Sequence, residues 1–428
     1  MLAAVRPIPS PLIWLAMLPA AVAAGEPQSE PAAIIQAAIA AACDAGELEA
    51  ASLAARLGGA RVINETRLKM GDTDVGWRRV FAFDGGGRLT ITRAAPRAIL
   101  RRLEVDYWGP GPIGPRPVIG TIAPGDCRIA LARRLLYEDG GAASAVEELD
   151  AELRPTGHVE PLNPPVPAGL DPGGVPVAMV DSGVNYLLPE IAGRLARDAD
   201  GAILGYDYWD MDGRPFDTNP ARSPFFPQRH GTRTASVLLR EAPKTRLVPY
   251  RYPRPDMTRM ADLVEDAAAK GVVVMSLTLG SRDAAEWTGF SAAVAAHPEM
   301  LFVVSAGNDG RDLDQHPVYP AALAHPNLIT VTSSDLGGGL GPGANWGAES
   351  VHLLVPGERM AVTNFAGRPV EGSGSSFAAP RVAALAARLL AAHPDWRARR
   401  LKAAIFARAV SMPGRLVRVG FIPDPSRP

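Results

Sequence analysis

Short apolar runs alternate with amphipathic runs through the second half of the chain. Residues 175–180 (VPVAMV), 272–277 (VVVMSL) and 301–306 (LFVVSA) have the length of single buried strands and are rich in β-branched side chains. Runs between them, such as residues 260–270 (MADLVEDAAAK), have helical spacing. Apolar strands that alternate with helices are typical of a parallel sheet buried on both sides. The pattern therefore predicts an α/β fold, with a mostly parallel sheet and helices on both faces.

The first part of the chain has a different pattern. An alanine-rich stretch, residues 31–57, is helical in character, whereas residues 79–83 and 88–93 flank a DGGG turn as the two arms of a hairpin. Residues 144–153 (SAVEELDAEL) are predicted to form a helix. We therefore predict a small α+β N-terminal domain over residues 25–158.

Proline and glycine are concentrated between these two parts. Residues 159–175 contain the run PLNPPVPAGLDPGG, which disfavours helix and central strand and is typical of a linker. The chain beyond it divides into an α/β domain, residues 176–412, and a C-terminal tail, residues 413–428. A length of 428 residues is ample for two separate cores.

The first 24 residues carry the features of a secretory signal. Arg6 precedes an apolar stretch, residues 12–24, in which Ala21 and Ala23 are the small residues that signal peptidase requires. About 13 apolar residues fall short of the ~20 that span a membrane, and Pro19 interrupts them. We therefore predict that residues 1–24 are a cleaved signal peptide and that the mature protein is secreted or periplasmic.

Both cysteines, Cys43 and Cys127, lie in the predicted N-terminal domain. In an exported protein they can form one disulfide, and two separate buried thiols are the alternative. They do not form a metal site, and the seven histidines show no paired ligand spacing. A zinc enzyme is therefore not expected.

The charge of the chain excludes some partners. A formal net charge of -1 at pH 7 leaves no excess of positive charge to bind nucleic acid or, once the signal is removed, an acidic membrane surface. Residues 205–217 (GYDYWDMDGRPFD) offer carboxylates, but their spacing matches no EF-hand loop, which favours a solvated acidic loop over a calcium site. These carboxylates are Asp207, Asp210, Asp212 and Asp217. No cofactor is expected to be required, and structural calcium is not predicted.

Four polar side chains stand at the ends of predicted elements. Asp181 follows the first buried strand, Asn308 follows residues 301–306, and His230 and Ser376 each begin a helical run. Taken singly, these residues are ordinary turn formers or helix caps. Ligands in such folds bind at the carboxyl ends of the strands, where an acid, an amide, a proton carrier and a hydroxyl can act together.

The motifs around these four side chains resemble those of the subtilases, the subtilisin-like family of serine peptidases. In chain order, the matching stretches are Asp181-Ser182-Gly183, His230-Gly231-Thr232, Ser305-Ala306-Gly307-Asn308 and Gly374-Ser375-Ser376-Phe377-Ala378-Ala379-Pro380. The order acid, histidine, serine is that of subtilisin and differs from that of chymotrypsin-like enzymes and α/β-hydrolases. The resemblance covers about residues 172–410 and implies a subtilisin-like fold for the α/β domain.

The resemblance implies a role for each residue. Ser376 is the expected nucleophile, His230 the general base and then acid, and Asp181 the group that orients the imidazole. Asn308 and the backbone N–H of Ser376 are expected to form the oxyanion hole. The chain is therefore expected to be an exported serine endopeptidase that acts as a monomer on proteins or peptides through an acyl-enzyme.

Some positions depart from the family pattern. Arg233 stands where a second histidine is usual, Ser375 where threonine is usual, and Thr278-Leu279 make the register of the substrate-pairing strand ambiguous. A catalytically silent subtilase-fold scaffold that binds peptides is the alternative function. An esterase elbow is excluded because Ala378 stands where its last glycine should be. The N-terminal domain is expected to be either a propeptide or an accessory domain.

Overall fold

The structure, a computed structural model, describes residues 30–44, 49–70, 73–139, 141–412 and 414–427. The predicted signal peptide, residues 1–24, lies outside the described residues. Two helices and an antiparallel sheet form the N-terminal domain, and the second domain is built on a parallel sheet. Within the described ranges, no helix combines the length and the apolar character that crossing a bilayer requires.

The N-terminal sheet is a series of consecutive antiparallel strands in chain order. Its strands are β1 (Arg61–Met70), β2 (Thr73–Ala82), β3 (Arg88–Ala94), β4 (Arg102–Gly109), β5 (Arg116–Pro124), β6 (Leu131–Tyr137), β7 (Ala143–Leu149) and β8 (Pro155–Pro161). Successive side chains of a strand face opposite sides of the sheet. In β4, Leu103, Val105 and Tyr107 are therefore buried, whereas the residues between them are half-buried. The predicted hairpin is confirmed as β2 and β3.

Two helices, α1 (Glu30–Asp44) and α2 (Ala50–Arg56), pack on the apolar face of this sheet. Ile35, Ile39 and Ala42 of α1 are buried there, at the spacing that one face of a helix requires. The described parts of the alanine-rich stretch thus form the helices α1 and α2, in agreement with its predicted helical character.

The predicted helix over residues 144–153 is wrong. Residues Ala143–Leu149 form β7, which pairs with β6 on one side and with β8 on the other. Alanine, glutamate and leucine favour a helix only by fractions of a kcal/mol each. Two backbone ladders and an ion pair between Glu147 and Arg134 of β6 outweigh that preference.

Cys43 of α1 and Cys127, in the turn after β5, form a disulfide. Their Cα atoms are 6.1 Å apart, within the range that a disulfide requires. The first of the two alternatives for the cysteines is therefore confirmed.

The second domain is a parallel sheet covered by helices. The strands, with β16 and β17 as a separate antiparallel pair, are β9 (Val175–Asp181), β10 (Tyr206–Asp207), β11 (Thr245–Arg251), β12 (Val274–Leu277), β13 (Leu301–Ser305), β14 (Leu328–Ser334), β15 (Leu353–Pro356), β16 (Met360–Thr363), β17 (Pro369–Gly372) and β18 (Gly420–Phe421). The sheet order is β10-β11-β9-β12-β13-β14-β15-β18, and every neighbouring pair is parallel.

Helices cover both faces of this sheet, as predicted. They are α3 (Pro189–Ala192), α4 (Gly231–Glu241), α5 (Met260–Ala269), α6 (Thr288–Ala296), α7 (Ser375–Ala392) and α8 (Ala398–Phe406). Alternate side chains of β9 enter two cores: Val177 and Met179 pack with α4, α7 and α8, whereas Ala178 and Val180 pack with α5 and α6. The near-continuous apolar strands of the sequence reflect burial on both sides.

Two predicted boundaries of the second domain differ from the observed ones: that with the interdomain connection and that with the C-terminal tail. Residues 162–174 contain neither helix nor strand, so the connection is shorter than the predicted 159–175. The predicted tail, residues 413–428, is not separate where the structure describes it, over residues 414–427, because β18 extends the parallel sheet beside β15. Beyond β18, Asp424 pairs with the buried Arg381 of α7.

Candidate active site

Asp181 ends β9, which lies between β11 and β12 in the sheet. β10 and β11, which follow β9 in the chain, lie on one side of it in the sheet, and β12 lies on the other side. The strand order therefore reverses at β9, and α/β folds bind ligands in the crevice at such a switch point. Asp181 is 4% exposed, and its Oδ1 accepts a hydrogen bond of 2.7 Å from the backbone N–H of Ser182. The carboxylate is therefore held firmly at the carboxyl edge of the sheet.

His230 stands at the N-cap of α4 and contacts Asp181 directly. Its Nδ1 lies 2.8 Å from Asp181 Oδ2 and 2.9 Å from Oδ1. This pairing fixes the tautomer that carries its proton on Nδ1, which leaves Nε2 as the nitrogen that can exchange a proton with a hydroxyl. The side chain is 36% exposed, so solvent and substrate can reach the ring.

Two hydroxyls that the sequence analysis did not identify bind the same carboxylate. Thr234 Oγ1 donates to Asp181 Oδ2 at 2.9 Å, and Thr278 Oγ1 donates to the same oxygen. Thr234 follows His230 by one helical turn, so the i,i+4 spacing could have indicated it. Thr278 follows β12, the neighbour of β9, and only the strand order brings it to Asp181.

Asp217 anchors the start of α4. It is fully buried and accepts hydrogen bonds from Ser182 Oγ at 2.7 Å, from the backbone N–H of Thr232 at 2.9 Å and from that of His230 at 3.2 Å. A carboxylate near the first turn satisfies free N–H groups and opposes the helix dipole. Asp217 and Ser182 therefore fix the backbone from which His230 projects.

These contacts favour a negative charge on Asp181 and a positive charge on His230. Burial opposes ionisation of Asp181, but the charge and hydrogen bond of His230, with the bonds from Thr278 and Ser182, hold the pKa of Asp181 below its ordinary value. Burial also opposes protonation of His230, but the negative charge of Asp181 raises the pKa of His230 above its ordinary value. Burial raises the pKa of Asp217, and the charge of Asp181 adds to that shift. An ionised Asp181 thus supports a basic imidazole.

Ser376 lies in the first turn of α7 and is half-buried. Gly374 precedes the helix with a φ of 122°, a conformation that favours glycine. The ring of Phe377 lies 6.0 Å from the imidazole of His230, centroid to centroid. The start of α7 is thus beside His230, and the backbone N–H groups of its first turn lack helical partners.

Asn308, three residues after β13, contacts the same turn. Its Oδ1 accepts a hydrogen bond of 2.9 Å from the backbone N–H of Ser375, and the buried Ser375 Oγ accepts one of 3.0 Å from the backbone N–H of Gly307. A Cβ at position 374 would lie 2.9 Å from the Asn308 amide, so only glycine fits there. With its oxygen engaged, the Asn308 side chain offers its Nδ2 as a donor.

A cavity of about 470 Å³ opens beside this arrangement. Its lining residues include Asp181, His230, Arg233, Tyr252 and Leu279. The cavity is large enough to hold a side chain of an extended peptide. Its lining includes Arg233, the position at which the sequence departs from the family pattern.

The acidic loop before His230 is only partly solvated, which corrects the sequence prediction: Asp210 is exposed, but Asp212 is half-buried. Asp207 and Asp217 are both fully buried. Arg251, itself 2% exposed, forms ion pairs with Asp207 and Asp210. Arg214 pairs with Asp212. In the described ranges, no group of three or more His, Cys, Asp or Glu side chains is placed to hold a metal ion.

The chain belongs to the subtilase family, whose sequence model matches residues 173–421, more than half of the chain. The thermophilic serine proteinase of Bacillus sp. (strain AK1) is 29% identical over 230 residues, which are 50% of this chain and 52% of that protein. Halolysin of Haloferax mediterranei is 28% identical over 238 residues, which are 52% of this chain and 43% of that protein. The chain thus spans about half the length of these curated relatives. The solved structure of a cold adapted subtilisin-like serine proteinase is 24% identical to this chain. The match covers 61% of this chain and 93% of that chain, with a TM-score of 0.49.

Proposed function

We propose that this protein is a serine endopeptidase that hydrolyses peptide bonds through an acyl-enzyme on Ser376. The observation that carries the proposal is the 2.8 Å contact between His230 Nδ1 and a buried, ionised Asp181, next to the helix whose first turn contains Ser376. A paired carboxylate and imidazole beside a serine is the arrangement that activates a hydroxyl as a nucleophile.

In the proposed reaction, each group acts once during formation of the acyl-enzyme and once during its hydrolysis. His230 Nε2 takes the proton of Ser376 Oγ as that oxygen attacks the carbonyl carbon of the substrate, and Asp181 stabilises the imidazolium that forms. Asn308 Nδ2 and the backbone N–H of Ser376 donate to the oxyanion of the tetrahedral intermediate. His230 then protonates the leaving amine, and a water molecule hydrolyses the acyl-enzyme by the reverse proton transfers.

A catalytically silent scaffold that binds peptides is the alternative. A scaffold needs the cavity beside His230 but has no use for a carboxylate held ionised chiefly by His230 and further by the hydroxyl of Thr278. The contacts of Asp181 with Thr234 and Thr278 therefore favour the peptidase.

Labelling with a fluorophosphonate probe separates the two functions. The wild-type protein is expected to take one label per chain and to cleave denatured casein. Ser376→Ala is expected to lose the label and about 10⁶-fold in turnover, the magnitude known for subtilisin. Ser373→Ala is the matched control, because Ser373 is exposed and its Oγ accepts only from a backbone N–H, that of Arg359. A wild-type protein that neither reacts nor cleaves would contradict the proposal.

We also propose that the protein is exported through residues 1–24, works outside the cytoplasm as a monomer and needs no cofactor. The disulfide between Cys43 and Cys127 supports export, because disulfides persist in oxidising compartments.

The contacts of residues 162–174, the interdomain connection, support an accessory role for the N-terminal domain rather than a removable propeptide. Asn163 donates to Asp212 Oδ2 at 2.7 Å, and Tyr186 donates to the carbonyl of Pro164 at 2.6 Å. Further along, Asp171 pairs with Arg246 at 2.8 Å. The connection is therefore tied to the second domain along its length. Mass spectrometry of the exported chain is expected to find an N-terminus near residue 25; an N-terminus beyond residue 162 would indicate a propeptide.

A further inference from the structure

A guanidinium with an unsatisfied donor is buried in the described part of the N-terminal domain. Arg93 of β3 is 7% exposed, its Nε is shielded from solvent, and that Nε has no hydrogen-bond partner. Trp77, on the neighbouring β2, is 3% exposed, and its Nε1–H also has no partner. Trp77 and Arg93 are direct cross-strand partners, so both unsatisfied donors belong to side chains on the same face of the sheet.

Such a pair is unusual in a folded protein. Buried polar groups are nearly always hydrogen-bonded, and buried charges are nearly always paired. Desolvation by burial lowers the pKa of Arg93. A missing hydrogen-bond acceptor with a negative charge would satisfy both donors at once.

The space for such an acceptor is present. A cavity of about 250 Å³ is lined by Trp77, Arg93 and Arg67, among others. Arg67 of β1 is the cross-strand partner of Trp77, so the three side chains form one row across three strands. The cavity far exceeds the ~10–15 Å³ that one water molecule needs.

The other charged groups at the cavity leave a positive balance. Arg79 stacks on the Trp77 ring at 4.1 Å and pairs with Glu65 at 2.9 Å, which neutralises it. Asp74 is exposed and contributes one negative charge. Arg67 and Arg93 together outweigh it by one positive charge.

We propose that this cavity, which we call the Arg93 pocket, is a binding site for a small oxyanion, either a carboxylate or a phosphate. The guanidinium of Arg93 and the indole N–H of Trp77 would donate to its oxygens, and Arg67 would close the open side. Hydrogen bonds from a guanidinium to such an anion are among the strongest in proteins.

The Arg93 pocket is separate from the proposed active site. It lies on β1 to β3, whereas β5 to β8 carry the contacts with the second domain, such as that of Glu160 with Arg229. Ligand binding to the Arg93 pocket can therefore be measured whether or not the protein cleaves peptides.

Isothermal titration of the full chain with inorganic phosphate and, separately, with acetate tests the proposal, with sodium chloride at equal ionic strength as the reference. The wild-type protein is expected to bind one of the two anions saturably with one site per chain. The anion that binds more tightly identifies the ligand class. In ¹⁵N-indole spectra the Trp77 Nε1–H signal, assigned with Trp77→Phe, is expected to move along the same binding curve.

Arg93→Met is expected to weaken binding at least 10-fold and to leave the melting temperature in anion-free buffer unchanged or raised, because an unpaired buried charge is removed. Arg102→Met is the matched control, since Arg102 is exposed and pairs with Glu104; it should bind as the wild type does. If Arg93→Met does not fold, the exposed Arg67→Met should still weaken binding. Absence of saturable binding of both anions, or binding that survives Arg93→Met, would overturn the proposal and leave water as the acceptor.

Discussion

At the scale of single residues, Asp181 has more hydrogen-bond donors than a triad requires. His230 Nδ1 contacts both carboxylate oxygens of Asp181, and the hydroxyls of Thr234 and Thr278 both donate to Asp181 Oδ2. Donors to the charged form favour ionisation, and they offset the burial that would otherwise neutralise the acid. The negative charge of Asp181 therefore stabilises the protonated form of His230.

The rate of peptide cleavage is expected to depend on pH through His230. Catalysis needs the neutral imidazole as the base, so kcat/KM should fall as the pH drops through the raised pKa of His230. The midpoint of this acidic limb should therefore lie above ~6.5, the ordinary value for histidine. Asp181→Asn should lower the midpoint and reduce kcat by about 10⁴-fold.

The measurement is a pH profile of kcat/KM on a peptide without titrating groups, with Ser373→Ala as the control that keeps the wild-type midpoint. A midpoint at or below the ordinary value, or one that Asp181→Asn does not move, would show that the pair does not control the base.

At the scale of elements, residues 218–229 form a loop between Asp217 and His230 that reaches into the N-terminal domain. Phe225, at its tip, is fully buried against Leu135 of β6 and Val146 of β7. Gly120 of β5 leaves no room for a Cβ beside the ring. Near the base of the loop, Arg229 forms an ion pair with Glu160 of β8. The N-terminal sheet thus holds the loop that leads directly into His230.

Phe225→Ala is expected to loosen this loop. Truncation of a fully buried phenylalanine lowers the free energy of unfolding by about 3–5 kcal/mol. Because the loop leads into His230, kcat should also fall by about 10- to 100-fold through misplacement of the imidazole. Denaturant unfolding and steady-state kinetics measure the two effects.

Phe226→Ala is the matched control, since Phe226 is adjacent but only half-buried, beneath the guanidinium of Arg133. Its effects on unfolding and on kcat should both be smaller. Equal kcat in the wild type and Phe225→Ala would mean that the N-terminal sheet does not position His230.

At the scale of the whole molecule, the two domains are joined by more than the chain that connects them. The N-terminal sheet contacts the second domain through Phe225 and Arg229, and residues 162–174 are hydrogen-bonded along the second domain. The disulfide lies elsewhere, between α1 and the turn after β5. It therefore stabilises the N-terminal domain and does not fix the contact between domains.

Reduction of the disulfide is expected to destabilise the N-terminal domain. The bond closes a loop with a sequence separation of 84 residues, and the entropy of such a loop corresponds to about 4.6 kcal/mol. The double variant Cys43→Ser with Cys127→Ser should unfold its N-terminal domain at a lower denaturant concentration. Circular dichroism of the wild type, with and without reductant, is the comparison; unchanged unfolding on reduction would show that the sheet alone is sufficient.

Local pattern was enough for much of the molecule. Runs that are apolar throughout predicted a parallel sheet between two helical layers, because a strand buried on both faces has no polar side. The DGGG turn between two alternating runs predicted the hairpin of β2 and β3. Local pattern does not predict contacts between distant residues. β7 is a strand only because β6 and β8 pair with it, and Asp207 and Asp217 are buried only because residues distant in the chain bind them.

The sequence by itself determined the parallel α/β sheet and the family, and it predicted Asp181, His230, Asn308 and Ser376 as site residues, because their motifs are contiguous and lie at the ends of regular elements. Tertiary structure alone decided that Thr278 contacts Asp181, that Asp217 anchors α4 and that Phe225 enters the N-terminal sheet. It also decided that Trp77 Nε1 and Arg93 Nε lie beside a cavity with no hydrogen-bond partner among the described residues. The physical reason is the same in each case: strand order and register set which side chains meet, and neither is determined by a residue's neighbours along the chain.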